Sequence, residues 1–212
     1  MGFCAKFEQR FSKAVPSPSC GLGAIADSDK MIDNLDIFRR EYLGASTWAQ
    51  RKDGVPLDLI DNLSIDELKV AEDELIKAAS LRDDWPIVGL GHIKSKDALP
   101  KLVKLLSESK GTMKVKIAHS IFQISQDEKM KDIVVETMQQ ITGEFELIDA
   151  LYYLSLFKDS RITELLHSYR NHKKYLVAYN ATRYLGLSTD EVVEKFRNKE
   201  KPKSFWDKLF GN

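Results

Sequence analysis

Between Asp84 and Arg197 the apolar positions recur in blocks, and the blocks recur along the chain. Four segments, GLGHI, SIFQI, LYYLS and TRYLG, each close an apolar stretch with helical spacing. Their matched residues are Ile93, Ile124, Leu154 and Leu185, separated by 31, 30 and 31 positions. An aspartate follows each block: Asp97, Asp127, Asp159 and Asp190, at intervals of 30, 32 and 31. A second apolar series follows each aspartate: Leu99 and Leu102, Met130 and Ile133, Ile162 and Leu165, then Val193 and Phe196. Ile117, Ile121 and Ile124 in one first helix match Leu147, Leu151 and Leu154 in the next at the same offsets. A two-helix unit of this length, repeated, predicts stacked antiparallel helix pairs.

The polar positions between the helices agree with this reading. An aspartate at a helix start accepts orphan backbone N–H groups and faces the positive end of the helix dipole. Ser125 with Glu128, and Ser188 with Glu191, have capping-box spacing, as do Ser64 and Glu67 further upstream. Pro86 follows Asp84 by two residues, where a first-turn proline belongs. No stretch alternates with period two over a strand's length, so no sheet is expected.

Outside the repeats the pattern is weaker. Phe3, Phe7 and Phe11 predict a short amphipathic helix over residues 3–14, and AVPSPSCGLG at 14–23 reads as a linker. Met31, Leu35, Phe38 and Tyr42 share one face of a helix expected from about Asp29 to Leu43. Gly44, Gly54 and Pro56 break up residues 44–63. The organisation expected is a helix and linker over 1–27, an irregular helical cap over 28–83, repeats over 84–197 and a basic, aromatic tail over 198–212. Residues 1–60 read either as that cap or as a separate interaction element.

Composition narrows the function classes. Hydrophobic residues at 43% and charged residues at 30% suffice for a real core. Basic and acidic side chains balance at 32 each, so no whole-molecule field draws in nucleic acid or anionic lipid. The two cysteines, Cys4 and Cys20, lie outside the periodic region and suggest neither a disulfide framework nor a zinc site. The opening MGFCAKFEQRF lacks a signal-peptide core, and Lys6 stands where a myristoylation motif wants Ser or Thr. No transmembrane segment is expected, and a cytoplasmic location is.

Recognised catalytic spacings are missing. His92, His119, His167 and His172 are scattered without a metal-binding pair. No GxSxG elbow or phosphate-binding loop occurs. Asp83 and Asp84, beside Trp85 and Pro86, read as a helix N-terminus rather than an acid–base pair. No catalytic residue, metal or cofactor is therefore expected.

The segment GLGHIKSKDALPKLVKLLSES, residues 89–109, resembles a HEAT-like repeat through Asp97, Ala98, Leu99, Pro100, Leu102, Leu105 and Leu106. KDSRITELLHSY, 158–169, is a weaker copy. The resemblance covers about 84–197 and implies a right-handed α-α superhelix of four to five helix pairs. The unit is shorter than a usual HEAT repeat, and a tetratricopeptide array is the alternative. What the fold implies is a non-catalytic scaffold or adaptor that binds another protein, including the type of small bacterial immunity protein that blocks a partner. Some DNA glycosylases and some lyases share HEAT-like architecture, but none of their residues carries over, and nucleic acid is not the expected partner.

Stacking places equivalent positions in columns, and these nominate binding residues. Lys101, Lys131, Thr163 and Glu194 form one column on the second helices, which usually line the concave side of HEAT-like arrays. His92, Gln123, Tyr153 and Tyr184 form another, in which Tyr153 and Tyr184 serve either as interface anchors or as packing between repeats. A basic cluster at Arg161, His167, Arg170, His172, Lys173 and Lys174 suits an acidic partner, or else is a solvated loop. Phe205 and Trp206 in the tail read as a docking motif or as a cap on the last repeat.

Overall fold

The computed structural model describes residues 33–200, with side chains to 198. The expected helix at 3–14, the linker, both cysteines, Met31, Phe205 and Trp206 lie outside the described residues. Within them the chain is all-α, without strands; Ser80 and Asp83 form one isolated bridge.

The helices are α1 (Asn34–Phe38), α2 (Trp48–Arg51), α3 (Asp58–Asp61), α4 (Ile65–Ala78), α5 (Trp85–His92), α6 (Leu99–Glu108), α7 (Gly111–Ser125), α8 (Lys129–Met138), α9 (Glu144–Ser155), α10 (Ser160–Tyr169), α11 (Tyr175–Tyr184) and α12 (Asp190–Glu200). A π-helical turn, Arg39–Leu43, prolongs α1. It keeps Leu35, Phe38 and Tyr42 on one buried face, as the spacing requires.

From α5 onward the helices pack in two sets. α5 lies on α7, α7 on α9 and α9 on α11. The helices between them run alongside: α6 and α8 pack on α7, α10 on α9 and α11, and α12 on α11. The matched apolar positions face this packing. Ile124 and Leu154 are buried, while Ile93 and Leu185 are half-buried against the same core. Ile117, Ile121, Leu147 and Leu151 are buried beside them. Each aliphatic side chain so removed from water contributes roughly 1.5–3 kcal/mol.

Gly91 lets α5 approach α7 closely. A Cβ there would lie 2.9 Å from Ser120 Cα and Cβ and 2.6 Å from Gln123 Oε1. Only a residue without a side chain lets α5 meet α7 at this distance.

The caps are met in part by the expected residues. Ser64 and Glu67 form both halves of the capping box at α4. Asp159 accepts from Arg161 N at α10, and Asp127 accepts from Lys129 N at α8. At α6 the work passes from Asp97 to Ser95, whose Oγ accepts from Ala98 N. The capping boxes expected at Ser125 and Ser188 do not form. Ser125 Oγ donates to Ile121 O within its own helix, and Ser188 Oγ accepts from Asp190 N.

The irregular stretch 33–83 belongs to the same core. Leu35, Phe38, Tyr42, Ile60 and Leu75 join one hydrophobic cluster that runs on to Ala181. Tyr42 Oη donates to Trp85 O at 2.7 Å and so ties the π-helical turn to the start of α5.

Candidate functional site

One face of α5, α7 and α9 repeats a spacing that the apolar ladder hides. Trp85, Val88 and His92 on α5, Lys116, His119 and Gln123 on α7, and Asp149, Tyr152, Tyr153 and Leu156 on or just after α9 are spaced as one helical face. These faces line a cleft of about 590 Å³, within the range of ligand sites. Arg51 at the end of α2 and the loop after it, with Asp53, Gly54, Val55 and Leu57, supply the remaining wall.

A chain of alternating charges crosses the cleft. Arg51 bonds Asp83 at 2.6 Å and Asp84 at 3.0 Å. The other Asp84 oxygen meets Lys116 Nζ at 2.7 Å, and Lys116 reaches Asp149 at 2.6 Å. Asp83 also accepts from Trp85 N, the helix-start role expected of it. Both cations lie on aromatic rings: Arg51 is 4.3 Å from the Trp85 centroid and Lys116 is 5.2 Å from that of Tyr153. Burial works to discharge Lys116, but the charge of Asp84 and the bond to Asp149 outweigh it, and its pKa rises. Hydrogen bonding to Asp83 likewise raises Arg51.

His119 behaves in the opposite way. Burial lowers its imidazole pKa to about 4, so it is neutral at pH 7. Its ring lies edge-on to Phe157 and Tyr153, with centroids 5.2 and 5.8 Å away. Burial, reinforced by Asp84 and Asp149, raises the Tyr153 phenol out of any physiological titration. His92 Nε2 is 2.6 Å from Asp61 at the rim. At the mouth stand Tyr152, 47% exposed, and Leu156, 43% exposed.

The column His92, Gln123 and Tyr153 does converge on this cleft. Tyr153 is buried between helices and lines the cleft. Tyr184 does not line the cleft; its ring stands 6.0 Å from that of Tyr152.

The second-helix column lies elsewhere. Lys101 Nζ donates to the carbonyls of Ile76 and Lys77, closing the C-terminus of α4. Lys131 is buried, bonded to Glu128 at 2.7 Å, 3.5 Å from Asp159 and over the Phe122 ring. Both amines are therefore engaged within the chain.

The basic cluster is dispersed. Arg170 is half-buried, 3.8 Å from Glu191. His172 Nδ1 accepts from Lys174 N, Lys174 Nζ pairs with Glu144 at 3.6 Å, and Lys173 is exposed. Arg161 bonds Asp132 at 2.6 Å.

Arg51, Asp84, Lys116, His119, Asp149 and Tyr152 escape a search for recognised motifs. Their signal is a mixed polar and aromatic face, spaced like a core face, on helices already apolar elsewhere. Among the described residues no cluster of His, Cys, Asp and Glu is placed to hold a metal ion, and no helix is long and apolar enough to cross a membrane. Compared with known proteins, the chain matches no family model, no curated protein and no solved structure.

Proposed function

We propose that this protein is a HEAT-like α-solenoid that acts as a non-catalytic protein-binding scaffold, and that a partner segment is received in the cleft across α5, α7 and α9. The observation that carries this reading is the state of the cleft's charged groups. Lys116 is held cationic between two carboxylates, Arg51 is tied to two more oxygens, and His119 is neutral with aromatic rings beside it. Such groups orient and recognise; Lys116, Arg51 and His119 are not poised to exchange a proton near neutral pH. The alternation of α5, α7, α9 and α11 with α6, α8, α10 and α12 supports the superhelical arrangement.

The same cleft weighs against the nucleic-acid reading. A phosphate backbone needs unengaged cations. Here Asp84 and Asp149 occupy them.

The test is affinity isolation from the source cells with the wild-type chain, Tyr152→Glu, Leu156→Arg and Ile65→Glu. Ile65 is 79% exposed and lies outside the cleft. A single stoichiometric protein, retained by wild type and Ile65→Glu but lost from both cleft variants, is the expected result. Salt-sensitive recovery of nucleic acid, abolished by Arg170→Glu, would overturn the scaffold reading.

A further inference from the structure

The partner's chemistry follows from how charge is distributed along the cleft. Asp53 at the rim pairs with Lys52, 2.6 Å away and outside the cleft lining. The remaining ion-pair series runs from Asp83, just outside the lining, through Arg51, Asp84 and Lys116 to Asp149, three carboxylates against two cations. One negative charge is left over.

Position says where that charge is available. Lys116 is 12% exposed and Asp84 19%, whereas Asp149 is 48% exposed. Asp149 meets Lys116 through Oδ2, and its Oδ1 accepts no hydrogen bond among the described residues. The cations thus lie within and a half-answered carboxylate faces the opening. Tyr152 and Leu156, also near half-exposed, stand on the same helical face one and two turns on.

An anionic ligand would find both cations engaged and Asp149 in its way. A cationic side chain would find an acceptor oxygen, an aromatic ring for its charge and an aliphatic surface for its stem.

Resting on the scaffold reading above, we infer that the cleft selects a partner segment bearing a lysine or arginine, whose cationic head pairs with Asp149 while its stem lies along Tyr152 and Leu156. Electrostatic complementarity of this sort sets which segment is accepted more than how tightly it is held.

The probe is an immobilised set of nonapeptides with Lys, Arg, Ala or Glu at the central position and degenerate uncharged residues around it. Full-length protein is applied as wild type, Asp149→Asn and Asp149→Lys, with thermal melting of each to confirm folding. Wild type is expected to favour Lys and Arg over Glu by on the order of tenfold. Asp149→Asn should erase the preference, and Asp149→Lys should reverse it toward Glu. Should Asp149→Lys fail to fold, Asp149→Asn alone decides. Retained peptides without charge preference, or with a Glu preference in wild type, would overturn the cationic assignment and leave the scaffold reading standing. Failure to retain any peptide would overturn both.

Discussion

Helices α5 and α7 carry a different burden from α6 and α10. α5 and α7 are buried over most of their surface: Trp85, Pro86, Ile87, Gly89, Leu90 and Gly91 in one, Val115 and the run Ile117–Ile121 in the other. α6 and α10 bury only two side chains each, Leu102 with Leu106 and Ile162 with Leu166, and leave a polar face to water. The cleft lies on the crowded set. A surface on tightly packed helices inherits their rigidity, because the cleft side chains of α5, α7 and α9 stand on a backbone that cannot shift without disturbing the core. On the second helices, Lys101 and Lys131 are engaged within the chain, one on the end of α4 and the other on Glu128 and Asp159.

The hardest way to break this contrast is at the α5–α7 contact. Gly91→Leu should cost more than about 3 kcal/mol or prevent folding, whereas Val103→Ala on exposed α6 should shift stability by less than about 0.5 kcal/mol. Urea denaturation of both reads the difference, and equal effects would refute it.

Acid should strike the first-helix set next. The buried imidazole of His119 has its folded pKa lowered to about 4. The unfolded chain, with an ordinary value near 6.5, therefore takes up the proton first. The stability at stake is fully present above pH 6.5 and is lost as pH falls toward 4, amounting to roughly 3 kcal/mol. Melting temperatures at pH 7.5 and pH 5 should fall less steeply for His119→Phe than for wild type; parallel curves would remove His119 from the account.

Cutting the ion chain comes third. Lys116→Met leaves Asp149 without its ion pair and Asp84 to Arg51 alone, at an expected cost of about 2 kcal/mol. Lys101→Ala on the second-helix set loses only the cap on α4, about 1 kcal/mol. Chemical denaturation should rank them in that order.

These contrasts also show what the sequence makes legible. Ile124 and Leu154 are readable because burial punishes any polar residue there, so the same spacing returns in each unit. Asp127 and Asp159 are readable because a helix start has few good solutions. The cleft is harder to see, because Lys116 and His119 sit among Val115, Ile117, Ala118 and Ile121 and look like interruptions of a core. Only when α5, α7 and α9 lie side by side do Asp84, Lys116 and Asp149 become neighbours, and the 33 residues from Lys116 to Asp149 exceed the 30 to 32 of the repeat. Lys101 and Lys131 mislead for a related reason. A charged residue on an amphipathic helix looks free until the carbonyl or carboxylate that holds it is in place.

The smallest prediction concerns the ends of the first helices. Lys94 and Gln126 hold left-handed φ values of 54° and 56°, a conformation that Gly186 adopts at φ 71° after α11. Lys94→Gly should stabilise the chain by about 0.5 kcal/mol, the steric relief slightly exceeding the added entropy of the unfolded state. A fall in melting temperature would show that the Lys94 side chain contributes something the backbone argument omits.

The wall formed by residues 51–57 stands apart from the repeating pattern, and it decides how many such sites the architecture can hold. Duplicating a helix pair elsewhere in the stack would lengthen the molecule without creating a second cleft, since the copy would lack an Arg51 to lie on its tryptophan. A chain of this design can grow by tandem gain of units while the cleft stays single.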